Sequence, residues 1–191
     1  MDYILTARSL GKRYKNFKTL NDFSIHVPKG AIYGTENNDP GIGRCRRRMG
    51  AVVETPSIYQ DMTAEDNLKE QYRIIGLPSF DSIPELLRLV GLENTGKKKA
   101  KHFSLGMKQR LGIAIALAGN PDFLILDEPV NGLDPQGIIE VRELILKLNR
   151  EKGITFLISS HILDELSRLA THYGFIDSGH MVKEMSAAEL D

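Results

Sequence analysis

The feature that most constrains the fold is an unbroken apolar run, FLIL at residues 123–126, that ends directly on two acids, Asp127 and Glu128. An apolar run of this length between turn residues is typical of an interior strand in a parallel sheet, with helices on both faces. In open α/β sheets, ligands bind at the carboxyl ends of the strands. The run therefore indicates a ligand-binding sheet edge, although an isolated pair of acids more often only begins a loop.

Strand and helix patterns alternate after this run. A helical pattern at 136–150 leads to the strand ITFLISS, the helix ILDELSRLA and the strand YGFI, after which the turn DSG leads into the strand MVKE. Such alternation implies right-handed crossovers between parallel strands. We therefore predict an α/β fold with a mainly parallel sheet as its core.

The N-terminal part has other periodicities. Residues 3–34 alternate apolar and polar positions between turn signals, which predicts antiparallel strands, and MGAVVETPS predicts a further strand. From 62 to 96 the spacing is helical, with Thr63 as a predicted N-cap, and Ser104 is predicted to cap another helix. We expect one domain in three parts, namely a β subdomain with core strands at 1–53, a helical lobe at 54–118 and the rest of the core at 119–191.

Composition excludes several classes of function. Lysine plus arginine and aspartate plus glutamate both number 25 among the 191 residues, so no net charge favours nucleic acid or an anionic membrane. The single cysteine, Cys45, excludes an internal disulfide framework and a cysteine-clustered zinc site, which fits a reducing compartment. The sequence contains neither a long apolar span nor a secretion leader, so we expect a cytoplasmic protein that needs a partner for any membrane role.

Four stretches carry a family resemblance: FSLGMKQRL at 103–111, FLILDE at 123–128, NGLD at 131–134 and SSH at 159–161. In order and spacing they resemble the signature, the Walker B strand, the D-loop and the switch-histidine segment of ATP-binding cassette (ABC) transporter nucleotide-binding subunits. Each alone is a weak signal, but four in sequence make chance resemblance improbable. The resemblance implies a P-loop NTPase-like core, an N-terminal antiparallel β subdomain and a helical signature lobe.

The resemblance also implies catalytic and metal-binding roles. ATP hydrolysis needs Mg²⁺ beside the phosphates, a carboxylate near that metal and a group that polarises the attacking water. By resemblance, Asp127 serves Mg²⁺ and Glu128 is the general base. His161 would contact the γ-phosphate and hold Glu128 in place, although a lone histidine is more often a hydrogen-bonded loop residue. Glu54 replaces a glutamine that in the family reaches Mg²⁺, and its extra charge is tolerable only beside the metal.

Four further residues are implied to bind the nucleotide. Ser104 and Gly106 begin a helix whose free N–H groups suit an anion, and the resemblance implies that this anion is the γ-phosphate of ATP held mainly by a second subunit. An ordinary capped helix is the alternative. Asp134, in the D-loop-like segment, is likewise implied to bind the nucleotide. Tyr14 matches the aromatic residue that stacks on adenine, and a half-buried strand tyrosine is an equal alternative.

The family's phosphate loop, G-x-x-x-x-G-K-[ST], is not found in the sequence. Between Gly34 and Thr35 the chain passes over roughly 35 to 40 residues that the intact family fold would need. The alternatives are a deletion in the molecule or a segment that this sequence omits. A true deletion predicts negligible hydrolysis, because losing even one electrostatic contact to a transition state costs about 10²- to 10³-fold.

Two functions from different classes remain open. The sequences of the segments SLGMKQRL, DEPVNGLDP and ISSHILDEL are most similar to those of the drug and peptide-antibiotic export branch, including bacitracin and lantibiotic transporters. That similarity implies an ATPase that uses ATP and Mg²⁺, pairs with a second ATPase subunit, identical or not, and works with a transmembrane permease at the inner face of the cell membrane. The alternative is a catalytically silent dimerisation or regulatory module.

We expect no nucleic-acid partner. A related chromosome-maintenance or DNA-repair ATPase would need long coiled-coil heptads between Glu54 and Ser104, where only a compact lobe fits. The short basic runs RCRRR and KKKAK are more typical of solvated surfaces than of a phosphate-binding face.

Overall fold

The computed structural model describes residues 3–14, 17–28, 48–53, 56–177 and 180–189, with only the backbone described for the first two ranges. The strands are β1 (Tyr3–Tyr14), β2 (Phe17–Pro28), β3 (Met49–Val53), β4 (Phe123–Asp127), β5 (Thr155–Ser159), β6 (His172–Asp177) and β7 (His180–Ser186). The α-helices are α1 (Ala64–Ile74), α2 (Ile83–Leu89), α3 (Leu105–Leu117), α4 (Pro135–Lys152) and α5 (Leu163–Ser167).

A parallel sheet forms the core, in the order β3, β4, β5. The three strands are in register along their full length, so Val53, Asp127 and Ser159 lie side by side at the carboxyl edge. In β4, Phe123, Leu124 and Leu126 are buried, as expected for a central strand covered on both faces. The predicted α/β fold with a parallel core is confirmed.

Antiparallel pairs make up the other strands that the structure describes. β1 and β2 pair along their length, with Tyr3 opposite Pro28 and Tyr14 opposite Phe17, which agrees with the predicted N-terminal antiparallel strands. β6 and β7 form a hairpin. The apolar and polar alternation of the N-terminal part therefore indicates antiparallel pairing, and the continuous apolar run indicates the parallel core. The strand YGFI, which the sequence analysis included in the parallel alternation, instead pairs antiparallel with β7, because a short connection joins antiparallel strands.

The predicted helix caps are present, but some helix bounds differ, and the segment ILDELSRLA is helical only over Leu163–Ser167. Thr63 caps α1, because its Oγ1 accepts a hydrogen bond from the N–H of Asp66 at 3.1 Å. The helix α4 buries Val141, Ile145 and Leu148 against the core, and it ends where Gly153 adopts a left-handed conformation with φ 66°. The long helix pattern predicted at 136–150 is thus confirmed with slightly wider bounds.

Helix α3 contacts β3, α1 and α4, and seven of its 13 residues are buried. Its position depends on a close backbone approach at Gly112, where an added Cβ would lie 2.5 Å from the Cβ of Pro56. Pro56 is itself buried. The loop that follows β3 therefore packs directly on the backbone of α3.

The loop before α1 is fixed by one buried amide. Asn67 accepts a hydrogen bond from the N–H of Tyr59 at 2.7 Å and donates to the carbonyl oxygens of Tyr59 at 3.1 Å and Thr63 at 2.8 Å. A buried amide with its bonds satisfied favours one conformation of this loop. These bonds thus hold Tyr59 and Thr63 of the loop against the first turns of α1.

Three predictions lie outside the described residues. They concern the side chain of Tyr14, the position of Glu54 and the junction between Gly34 and Thr35. In the part of the chain that the structure describes, no helix has the length and apolar character needed to cross a membrane.

Candidate functional site

The two predicted acids lie where the ends of β4 and β5 are joined by hydrogen bonds. The Oγ of Ser159 donates to Oδ1 of Asp127. The N–H of Glu128 lies within hydrogen-bonding distance of both the carbonyl oxygen of Ser159, at 3.2 Å, and its Oγ, at 3.1 Å. Ser159, which the motif analysis gave no role, therefore holds the backbone of one acid and the carboxylate of the other.

Glu128 leaves the strand in an uncommon conformation. Its φ is 48°, in the left-handed region that residues other than glycine seldom adopt. Such a conformation costs about 1–3 kcal/mol and persists only where its surroundings enforce it, typically at functional sites. Because β4 ends at Asp127, the turn releases Glu128 from the strict alternation of an extended chain, so the two carboxylates contact different partners, Ser159 and His161.

The structure brings His161 to Glu128. Its Nδ1 lies 2.9 Å from Oε1 of Glu128, and the Glu128 side chain is 23% exposed while that of His161 is 65% exposed. A ring nitrogen in this position orients one carboxylate oxygen and leaves the other able to accept a proton. We call Asp127, Glu128, Ser159 and His161 the sheet-edge cluster.

The start of α3 presents backbone rather than side-chain groups. The Oγ of Ser104 accepts a hydrogen bond from the N–H of Met107 at 3.2 Å, so the hydroxyl acts as the helix cap. Gly106 is buried and Leu105 is 45% exposed. The N–H groups in the first turn of a helix lack helical partners, and they bind anions readily.

Asp134 is also a helix cap. Its Oδ1 accepts a hydrogen bond from the N–H of Gly137 at 3.0 Å, at the start of α4. An added Cβ on Gly106 would lie 3.6 Å from the Cα of Gly137, so the starts of α3 and α4 pack backbone to backbone. We call Ser104–Gly106 and Asp134–Gly137 the two helix starts. The nucleotide-binding role of Asp134 stays a prediction, since the structure shows its carboxylate bonded within its own turn.

The oxygen atoms of the sheet-edge cluster suit Mg²⁺. Among the described residues, no three His, Cys, Asp or Glu side chains converge in the manner of an all-protein metal cage. Mg²⁺ bound together with phosphates usually takes only one or two protein carboxylates, and the phosphates and water complete its octahedron. Asp127, with the hydroxyl of Ser159 beside it, fits that requirement.

Comparison with known proteins gives a consistent family. A family model described as ABC transporter matches residues 20–131. The bacitracin transport ATP-binding protein BcrA of Enterococcus faecalis is 36% identical, over 100% of this chain and 71% of the relative. BcrA of Bacillus licheniformis is 40% identical, over 97% and 70% of the two chains. The lantibiotic transport ATP-binding protein SrtF of Streptococcus pyogenes is 38% identical, over 95% and 90%.

Solved structures give the same fold. The protein cbiO1 of Clostridium perfringens, part of the ABC transporter complex cbiONQ, superposes with a TM-score of 0.85 at 22% identity, over 100% of this chain and 91% of that one. The dimeric post-hydrolysis state of the ATP-binding cassette MJ0796, bound to ADP and Pi, superposes with a TM-score of 0.79 at 19% identity, over 95% and 98%.

The alignments also bear on the phosphate loop. The alignment with BcrA of E. faecalis spans 220 positions, whereas this chain has 191 residues, so at least 29 positions of that relative have no counterpart here. This minimum is compatible with the gap of roughly 35 to 40 residues expected from the family pattern. The length of this alignment therefore agrees with a gap in the chain. The position of the gap between Gly34 and Thr35 stays a prediction.

Proposed function

Since this chain belongs to the family of ABC transporter ATP-binding subunits, we propose that it energises the export of peptide antibiotics or drugs by hydrolysing ATP. The observation that carries the catalytic part is Glu128, turned out of β4 with φ 48° and held by His161 at 2.9 Å. The export part rests on the relatives named for bacitracin and lantibiotic transport, which are 36–40% identical to the chain.

Each residue of the sheet-edge cluster has a distinct task in this proposal. Asp127, with Ser159 fixing one of its oxygens, offers the other toward Mg²⁺, which when bound neutralises charge on the β and γ phosphate oxygens. Glu128 accepts the proton of the attacking water. His161 keeps the carboxylate of Glu128 in one orientation and contacts the γ-phosphate. Two further residues complete the proposed ATP site: Glu54 would lie beside Mg²⁺, and Tyr14 would stack on the adenine.

The helix starts serve a nucleotide held by another subunit. Members of this family dimerise and work with permease subunits. We propose that Ser104 and Gly106 present their free helix end to the γ-phosphate bound by the partner ATPase subunit. Asp134 acts beside them from the start of α4. The complex would lie on the inner face of the cell membrane, against its permease.

One observation favours a second candidate function. The sequence holds no G-x-x-x-x-G-K-[ST] motif, so a chain that truly lacks this loop would retain the dimer surface without turnover. Intact-mass spectrometry of the protein from its native source separates the two candidates. A mass of 21.4 kDa means that the loop is deleted. A mass about 4 kDa larger, with peptide mapping that places the added residues between Gly34 and Thr35, means that the molecule carries the segment that this sequence lacks.

Phosphate release with Mg²⁺ and ATP tests the proposal directly. The chain contains no tryptophan, so a fluorescent ATP analogue can report binding against a low protein background. Turnover that disappears in Glu128→Gln supports the ATPase. Dimerisation without turnover would support the silent module, and a chain that neither binds ATP nor dimerises would overturn both.

A further inference from the structure

Arg110 connects three helices through one side chain. It lies on α3, and its side chain is only 16% exposed. Its Nη1 lies 2.9 Å from the carbonyl oxygen of Val90 and 3.0 Å from that of Gly91, just beyond the end of α2. Its Nη2 lies 3.3 Å from Oε2 of Glu140 on α4. The guanidinium thus joins the end of α2 to both helices that carry the helix starts.

The surroundings are shaped to receive this guanidinium. An added Cβ on Gly91 would lie 2.7 Å from Nη1 of Arg110, so a side chain there would displace the contact. The carbonyl groups at a helix end lack helical partners and carry partial negative charge, which a cation satisfies. Gly91 therefore provides a carbonyl oxygen that accepts a hydrogen bond from Arg110, and its lack of a side chain leaves space for the guanidinium.

Arg110 extends the contact between the two helix starts. Gly106 and Arg110 are four residues apart on α3, and Gly137 and Glu140 are three apart on α4, so each pair lies on one helix face. Gly106 approaches Gly137 near the beginning of this face. The ion pair from Arg110 to Glu140 lies about one turn further along each helix.

Stability alone does not explain an arginine at this position. The Nε atom of Arg110 is buried and finds no hydrogen-bond partner among the described residues. Taking a charge out of water is costly, and well-packed apolar residues often replace a buried ion pair with no loss of stability. What an apolar side chain cannot reproduce is the set of directed bonds to two carbonyl oxygens and a carboxylate.

We propose that Arg110 is a positioning residue that fixes the two helix starts relative to each other and to the end of α2. Ser104 and Asp134 then reach the nucleotide of the partner subunit as one rigid unit. The part that concerns the partner's nucleotide rests on the proposed function. The part that concerns the helix starts is a property of the single chain and can be measured without ATP.

Hydrogen exchange in the chain without nucleotide tests the positioning. Arg110→Met replaces the guanidinium with an apolar side chain of similar length, so we expect a small change in thermal unfolding. Exchange should become at least about fivefold faster at the N–H groups of Met107, Lys108, Gly137 and Ile138, because local opening at the two helix starts becomes easier. Arg110→Lys retains the charge and should show about half of the effect in free energy.

Arg88→Met is the matched control, since Arg88 is an exposed arginine of α2. It should leave exchange at both helix starts unchanged. Unchanged exchange in folded Arg110→Met protein would overturn the proposal. If Arg110→Met unfolds globally, Arg110→Lys decides in the same way, with unchanged protection at the four N–H groups as the contrary result.

Nucleotide measurements separate this proposal from the proposed function. In a chain that turns over ATP, Arg110→Met should lower kcat about tenfold or more with a small change in KM, since it disturbs the geometry of reaction more than binding. In a chain without turnover, ATP-dependent dimerisation takes the place of kcat. A wild type that neither binds nor hydrolyses ATP contradicts the proposed function, whereas a normal kcat in Arg110→Met contradicts only the role of Arg110.

Discussion

The sheet-edge cluster and the two helix starts use polar side chains in opposite ways. At the sheet edge, Asp127, Glu128 and His161 contact one another or Ser159 across two strand ends, and they keep oxygen and nitrogen atoms for chemistry. At the helix starts, Ser104 and Asp134 bond to N–H groups of their own helices. The first region therefore depends on the identity of its functional groups, and the second depends on the backbone that its side chains hold.

The largest expected effect tests the first half of this comparison. Glu128→Gln keeps the shape of the side chain and removes the proton acceptor, so hydrolysis should fall about 10²- to 10⁴-fold with little change in unfolding. Phosphate release and thermal unfolding measure the two quantities. Glu143→Gln, at an exposed position of α4, is the control and should match the wild type. Equal rates for both variants would show that Glu128 is not the base.

A pair of variants at Ser104 tests the second half. Aspartate and asparagine are both good N-caps, so Ser104→Asp and Ser104→Asn should both retain helix stability. Only aspartate adds a negative charge where the γ-phosphate is proposed to bind, and repulsion at about 4 Å in a partly shielded crevice should weaken ATP-dependent dimerisation about 10²-fold. Sedimentation with Mg²⁺ and ATP measures it. Equal dimerisation of the two variants would place the phosphate elsewhere.

Two helix caps allow a smaller and more discriminating test. Thr63→Ala and Ser104→Ala each remove one cap and should each lower the free energy of unfolding by about 1 kcal/mol, measured by denaturant titration. Because Thr63 caps a helix outside both regions, only Ser104→Ala should also weaken dimerisation with ATP. A similar loss of dimerisation in Thr63→Ala would mean that overall stability, rather than the helix start, controls assembly.

The smallest expected effect lies outside both regions and depends on pH. A hydrogen bond from Lys101, together with its charge, lowers the pKa of Asp61 below the usual 3.8. Because the pKa is lower in the folded chain, ionised Asp61 stabilises the native state above about pH 4, and this contribution is lost as the pH falls through the folded pKa. Asp61→Asn should therefore be slightly less stable than wild type at pH 7 and equal to it near pH 2. A gap that persists at pH 2 would contradict the assignment.

Local signals in the sequence predicted most of the architecture. Thr63 and Ser104 cap helices as their patterns indicate, and the apolar run before Asp127 is the central strand. These features depend on neighbours a few residues apart, for which residue type and spacing are informative. The family motifs then indicated which of the acidic residues are candidates for the catalytic site.

Features that depend on distant contacts were not predictable in the same way. Ser159 reaches Asp127 and Glu128 only because β5 pairs in register with β4, some thirty positions away. The backbone of Glu128 departs from local preference, since a residue before proline usually adopts an extended conformation. The bonds from its N–H to Ser159 accompany the left-handed turn instead. Arg110 likewise joins helices that are separate in sequence.

The contact of Pro56 with Gly112 limits how the molecule can move. A proline ring against helix backbone has no rotamers that could absorb a displacement, in contrast to two long side chains that can slide past each other. The chain reaches Pro56 two positions after Glu54, and Gly112 belongs to the helix that begins after Ser104. A displacement of Pro56 by about one ångström would therefore also displace α3.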